Sequence, residues 1–335
     1  MRRSSIFPAL SCLLAAAAVF SLTLGQYPTP VRDILGLFLF RFFGIGTTPD
    51  NQILGSLLLD IRLPRILAAC LIGASLSVSG SAFQAMFVNP LVSPGLLGVL
   101  AGASFGAALG MVLSKSWVAV QCLSFVFGLV AVLVSVGIAK MHKGNTALLL
   151  VLGGVISSAF FTSLLSIIKY VADPYNQLPA IVQWLMGGLS LVDKRTLLAA
   201  GIPQLVGIVL TILLSGYLNA LSMGDEEAQA LGIPVERVRL LLIFIATLMS
   251  ALTVVQAGMI GWVGLIIPHI TRMLVGPDNK VLVPSSALIG AIYLILVDDV
   301  SRTLFNVEIP LGIATSLIGI PFFAVILRKA RQGWD

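Results

Sequence analysis

Residues 223 to 239 read MGDEEAQALGIPVERVR and stand between two apolar runs, 197 to 220 and 240 to 258. Three acids, Asp225, Glu226 and Glu227, open the stretch, where the N-terminus of a helix favours negative charge. Gly232 can close that helix in the left-handed conformation. Pro234 can open a second one, because a first helical turn does not need its missing N–H. The segment therefore predicts a short helix, a glycine turn and another short helix between two membrane spans. Such a protrusion is rigid and suits docking to a soluble partner; the alternative is a solvated loop whose charges serve solubility.

Outward from this segment, apolar runs repeat along the whole chain. Of 335 residues, 58% are hydrophobic and 10% charged, against roughly 25% charged in soluble domains. A soluble single-domain enzyme and a disordered chain are both excluded. With about 20 residues needed per crossing, spans fall near 6 to 25, 62 to 86, 94 to 113, 117 to 139, 147 to 168, 197 to 220, 240 to 258, 261 to 275, 282 to 298 and 309 to 327. The predicted fold is all-α, a polytopic membrane protein of about ten transmembrane helices forming a single domain over 1 to 335.

The first run follows Arg2 and Arg3, as a signal peptide would, but exceeds the apolar core of about 7 to 15 residues of such a peptide and reads as a retained span. Residues 26 to 60 carry Pro28, Pro30, Arg32, Arg41, Pro49 and Asp50 and read as an extramembrane loop with a short amphipathic helix. Residues 178 to 190 are too short to cross and read as a partial helix ending at Gly187 and Gly188. Gly98, Gly102, Gly106 and Gly110 recur every fourth residue, which predicts one face of close helix packing.

An even number of spans puts both termini on one side. With cytoplasmic termini, eleven Lys and Arg fall inside and nine outside, a small excess in the direction of the positive-inside rule. This orientation makes 26 to 60 periplasmic and 223 to 239 cytoplasmic. The formal charge of +6 is thus a matter of sidedness, and no nucleic-acid partner is expected. The outer arginines need a reason to be there. One is local pairing, of Arg62 and Arg65 with Asp60 and of Arg302 with Asp298 or Asp299.

Residues for chemistry are sparse. Cys12, Cys70 and Cys122 lie in apolar runs without paired spacing, and His142 and His269 are far apart, so neither a disulfide nor a metal site is predicted. No G-x-x-x-x-G-K-[ST] phosphate loop and no H-E-x-x-H occurs, so the chain is expected to hold no catalytic residues and not to hydrolyse ATP itself.

Further segments carry a family resemblance: RLPR at Arg62 to Arg65, NPLVSPGLLGVLAGA at Asn89 to Ala103, GWVGLIIPHITR at Gly261 to Arg272, and Glu308, Ile309, Pro310, Leu311 and Gly312. With the spacing of Glu227, Ala228 and Gly232, these resemble the FecCD-like permeases of ABC importers for iron-siderophore, haem and cobalamin, over about residues 55 to 330. The resemblance implies a homodimer of two copies of the chain in the cytoplasmic (inner) membrane of a prokaryote, embedded in membrane lipid. It further implies two ATPase subunits that use ATP and Mg, a periplasmic or lipid-anchored substrate-binding protein, and no cofactor bound by this chain.

The resemblance also assigns residues. Arg62, Arg65 and Arg302 would form a basic pocket for carboxylates of the binding protein, a task suited to the planar, permanently charged guanidinium. Gly224, Asp225, Glu226, Glu227, Ala228, Leu231 and Gly232 would couple the chain to the ATPase. Asn89 and Leu91, with a second layer at Asn145 and Thr146, would form the cytoplasmic gate, an Asn-Pro turn with no gating role being the alternative. The cargo implied is a metal chelate. Import of an oxyanion such as molybdate by the same fold is an alternative, and an ion-coupled secondary transporter a further one. That last class should show acids near the bilayer midplane, and the span interiors are almost free of ionisable residues.

Overall fold

The computed structural model describes residues 3–331 except 26, 28, 44–51, 115, 142–145 and 306. The described chain is helical from end to end. The helices are α1 Arg3–Thr23, α2 Val31–Phe43, α3 Gln52–Ser56, α4 Leu63–Met86, α5 Val99–Leu113, α6 Trp117–Lys140, α7 Thr146–Val171 and α8 Gln177–Leu185. They continue as α9 Lys194–Leu213, α10 Ser215–Leu221, α11 Asp225–Ala230, α12 Val235–Ala257, α13 Val263–Val275, α14 Asn279–Thr303 and α15 Leu311–Arg331. Among the described residues, seven helices are long and apolar enough to cross a membrane, and Val99–Leu113, Val263–Val275 and Leu311–Val325 are shorter apolar helices. These ten segments correspond to the ten predicted spans.

Burial sorts the helices into layers. Over an apolar 18-residue window, 83% of the residues are buried in Leu54–Met86, 78% in Val235–Ala257 and 61% in Asn279–Thr303, against only 17% in Ile6–Thr23. Helix α4 can sit at the centre because its buried polar residues, Gln84 apart, are serines: Ser77 Oγ donates to the Gly73 carbonyl at 2.7 Å and Ser81 Oγ to that of Ser77 at 2.9 Å. Hydroxyls bonded back into their own helix need no partner elsewhere. The crossing of α4 with α14 is set by Gly73 and Gly290, since a Cβ on Gly73 would lie 2.7 Å from the Gly290 carbonyl carbon.

Three of the four glycines of the predicted stripe behave as expected. Gly102, Gly106 and Gly110 face Phe127, Leu123 and Val120, and a Cβ on any of them would run into α6 backbone. Gly98 does not belong to the stripe. It caps the helix from outside at φ +88° after a short 3-10 turn, Pro94–Leu97, because Ser93-Pro94 begins a separate turn before the span proper.

Boundaries also differ from the sequence reading. The helix carrying RLPR begins before residue 62: α3 runs through a π-helical turn, Leu57–Arg62, directly into α4. Leu54 and Leu58 are 7% and 0% exposed and anchor this extension, so 52 to 60 is helix rather than loop. Asp60, near the end of this extension, pairs with Lys194 at 2.5 Å, while Pro49 and Asp50 lie outside the described residues. The predicted span 197 to 220 is divided at Leu214 into α9 and α10. Helix α13 starts only at Val263, after positive φ at Gly258 (+66°) and Trp262 (+69°).

Candidate functional site

The predicted site residues gather at the two ends of the bundle. At one end, α11 and α12 form the predicted protrusion. Gly224 precedes α11 at φ +120°, and Asp225, Glu226 and Glu227 occupy its first turn. Gly232, at φ +78°, ends it: its N–H donates to the Gln229 carbonyl at 2.8 Å, and the Ile233 N–H to that of Ala228 at 3.1 Å. These two bonds satisfy the last carbonyls of α11 in a Schellman turn. Ala228 is fully buried beneath the protrusion, while Glu226, Glu227, Leu231 and Gly232 are exposed. Arg239 of α12, almost fully buried, donates through Nη1 to Asp225 Oδ2 at 3.0 Å and through Nη2 to Asp225 Oδ1. This brace was not legible in the sequence.

Beside it, Asn219 of α10 clasps the start of α14. Its Nδ2 donates to Asp278 Oδ1 at 2.8 Å, and its Oδ1 accepts the Asn279 N–H at 2.7 Å. The stem of the protrusion is thereby joined to the helix that carries Asp298, Asp299 and Arg302 at its far end.

The turn after α4 holds the first pair of predicted gate residues. Asn89 and Leu91 are exposed, and Asn89 Oδ1 accepts the Leu91 N–H at 2.9 Å. Val88 has φ +47°, a left-handed conformation that a β-branched residue adopts only when its surroundings impose it. Gln84 ties the turn to α13: its Nε2 donates to the Leu265 carbonyl at 3.3 Å and its Oε1 accepts Arg272 Nη2 at 3.2 Å. Asn145 lies outside the described residues. Thr146 is the first residue of α7, and nothing is described of its side chain.

At the opposite end the three predicted arginines lie in one polar cluster, with partners other than Asp60. Arg62, 4% exposed, donates to the carbonyls of Leu22 at 2.6 Å and Tyr27 at 2.5 Å and to Thr29 Oγ1 at 3.1 Å. Arg302 donates to the Ser21 carbonyl at 2.7 Å, the Leu24 carbonyl at 3.1 Å and Asp299 Oδ1 at 2.5 Å. The two arginines thus supply donors to the terminal carbonyls of α1 and the residues just beyond it, which have no partner within the helix. Ser21 Oγ also donates to Asp299 Oδ1 at 2.6 Å.

Arg65 lies between two carboxylates. Its Nε and Nη2 each donate to Asp298 at 2.9 Å, and Nη1 and Nη2 donate to Glu308 at 2.9 and 3.1 Å. The Asp298 side chain is 2% exposed and that of Glu308 43%. Glu308 also accepts the Ser190 hydroxyl at 2.8 Å. Partial burial works against the Glu308 charge, but the bonds and charge of Arg65, with Ser190 and Arg302, outweigh it and hold this carboxyl below its ordinary pKa. Ser190 carried no sequence signal, and Glu308 appeared only as a motif letter without a role. Among the described residues, no three His, Cys, Asp or Glu are grouped to hold a metal ion.

Comparison with known proteins fits this arrangement. The chain is 38% identical over 324 residues to the molybdate import system permease protein of Haemophilus influenzae, covering 97% of this chain and 95% of the relative. It is 39% identical over 330 residues to an iron chelatin transport system permease protein of Helicobacter pylori, covering 96% and 97%. Its fold matches a solved metal-chelate type ABC transporter in an inward-facing conformation with a TM-score of 0.85 and 36% identity, covering 97% of this chain and 99% of that one. Residues 13–329 match the FecCD transport family, to which this chain therefore belongs as a multi-pass permease of an ABC transporter in a bacterial inner membrane.

Proposed function

We propose that two copies of this chain form the pathway of a metal-chelate importer, with a substrate-binding protein delivering cargo at the outer arginines and two ATPase subunits, using ATP and Mg, driving it from below. The chain itself binds no cofactor and makes or breaks no covalent bond. It supplies two arrangements, open outward and open inward, whose balance the ATPases shift. The observation that carries this reading is the braced protrusion. Its tip is exposed at Glu226, Glu227 and Leu231, while Ala228 and Arg239 fix its base in the bundle. A force applied at such a tip moves α12 rather than bending a loop.

Movement of α12 and α14 relative to α4 and α13 would open the turn at Asn89 and Leu91, with Asn145 and Thr146 as the second layer of the gate. The metal-chelate cargo rests on the likeness to the solved metal-chelate transporter and to the iron chelatin permease. The molybdate permease supports a second reading, an oxyanion. Proteoliposomes holding the chain with its co-purified ATPase and binding protein separate the two. ATP-dependent uptake of a radiolabelled ferric siderophore, unaffected by excess molybdate, is expected. Uptake of molybdate without uptake of the chelate would replace the first reading with the second.

A further inference from the structure

The two carboxylates on Arg65 differ in what they are free to do. Asp298 is buried within α14, and Arg302 Nε lies 3.8 Å from its second oxygen, so leaving Arg65 would strand a charge in the bundle. Glu308 is half-exposed and sits on the connection between α14 and α15. The backbone that follows it is pinned. The Ile309 N–H donates to the Ser301 carbonyl at 3.0 Å, the Leu311 N–H to that of Gly187 at 2.9 Å and the Gly312 N–H to that of Met186 at 3.0 Å. The side chain can therefore swing into solvent without the connection unfolding. When it does, it uncovers the Nη1–Nη2 end of the Arg65 guanidinium, next to the Nε–Nη2 edge that Asp298 holds.

We propose that Glu308 is a displaceable counter-ion, occupying the outward edge of Arg65 until a carboxylate of the substrate-binding protein takes its place. Asp298 remains as the permanent partner and holds the guanidinium in a fixed plane, so that the incoming group meets a preorganised fork. The exchange replaces one carboxylate by another and leaves no buried charge unpaired at any stage. It makes docking reversible, because Glu308 competes for the same two nitrogens. Ser190 tunes the competition by holding Glu308 in place. The inference rests on the reading that Arg65 receives the binding protein.

The test uses the full-length permease in proteoliposomes, the substrate-binding protein that co-purifies with it, and labelling of Arg65 by phenylglyoxal read by peptide mass spectrometry. Glu308→Gln keeps the shape and can still meet Ser190 but loses the charge. It is expected to raise binding-protein affinity and Arg65 labelling roughly two- to fivefold, the range open to a half-exposed ion pair. Ser190→Ala is expected to shift both in the same direction by less. Arg65→Gln combined with Asp298→Asn tests docking itself without stranding the buried acid, and is expected to weaken binding more than tenfold. If that double variant weakens binding but Glu308→Gln leaves affinity and labelling unchanged or lower, the exchange is wrong and the docking reading stands. If the double variant binds like wild type, both are wrong. Should Glu308→Gln fail to insert, Ser190→Ala decides, and unchanged labelling and affinity there overturn the exchange.

Discussion

The guanidinium of Arg239 reaches back fourteen residues to the carboxylate of Asp225, locking the first turn of α11 to the start of α12. The arginine is 4% exposed and the aspartate 44%, so the pair spans the boundary between the buried bundle and its exposed tip. The protrusion is rigid because of this pair and the Gly232 turn, and each can be broken separately.

Asp225→Asn leaves the buried Arg239 with a weaker, neutral acceptor. Hydrogen bonds between charged groups contribute about 1.5–3 kcal/mol, enough to loosen α11 while α12 stays folded. Uptake per ATP hydrolysed should fall several-fold, with insertion and ATPase assembly retained. Arg239→Lys, with Asp225 intact, should also lower coupling, because an ammonium cannot bridge both carboxylate oxygens as the fork does. Uptake and phosphate release measured together in proteoliposomes check this, and unchanged coupling in Asp225→Asn would remove the brace from the mechanism.

Gly232 tests the turn by backbone strain alone, since a Cβ there meets nothing within 4 Å. Gly232→Val should cost about 1–2 kcal/mol for forcing a side chain into the left-handed region and lower the coupling ratio. Gly232→Asn should cost less, because Asn tolerates that conformation. Equal coupling ratios in the two variants would mean that the turn conformation is not what matters.

What the sequence reveals here follows from the range of each interaction. The helix–glycine–helix segment depends on neighbours within a few residues, so the acids, Gly232 and Pro234 place it correctly. The spans follow from composition, and their ends do not: the π turn through Asp60 and Arg62 continues a helix across residues whose charge suggests a break. The partners of Arg65 are 233 and 243 residues away in sequence, and no local pattern selects Asp298 and Glu308 over the nearby Asp60. Gln84 leaves a faint trace as a long polar side chain in an apolar run, a sign of function at membrane depth. Its bond to Arg272 needed the fold.

Val88 carries strain that substitution can release. Its φ of +47° is unfavourable for a β-branched residue, and its side chain is 59% exposed, so replacing it gives up little buried apolar surface. Val88→Asn should stabilise the protein by about 1 kcal/mol, read as a higher Tm in detergent. A lower Tm would show that contacts of the valine, rather than the turn, dictate the backbone. If the strained turn serves the gate at Asn89 and Leu91, uptake should change in this variant although stability rises.

Arg62 and Arg65 are three residues apart and are expected to fail differently. Arg62 donates to the carbonyls of Leu22 and Tyr27 and to Thr29, so Arg62→Gln leaves carbonyl oxygens at the end of α1 without donors. Each buried acceptor left unsatisfied costs about 1–3 kcal/mol, and the site is 4% exposed, so water offers little relief. The variant should lose several degrees in Tm and expose the stretch after Thr23 to limited proteolysis from the outer side. Binding-protein affinity, measured on the fraction that remains folded, should change less than in the Arg65→Gln, Asp298→Asn double variant. A wild-type Tm and protease pattern for Arg62→Gln, together with a large loss of affinity, would make Arg62 a docking residue in its own right and not a cap on α1.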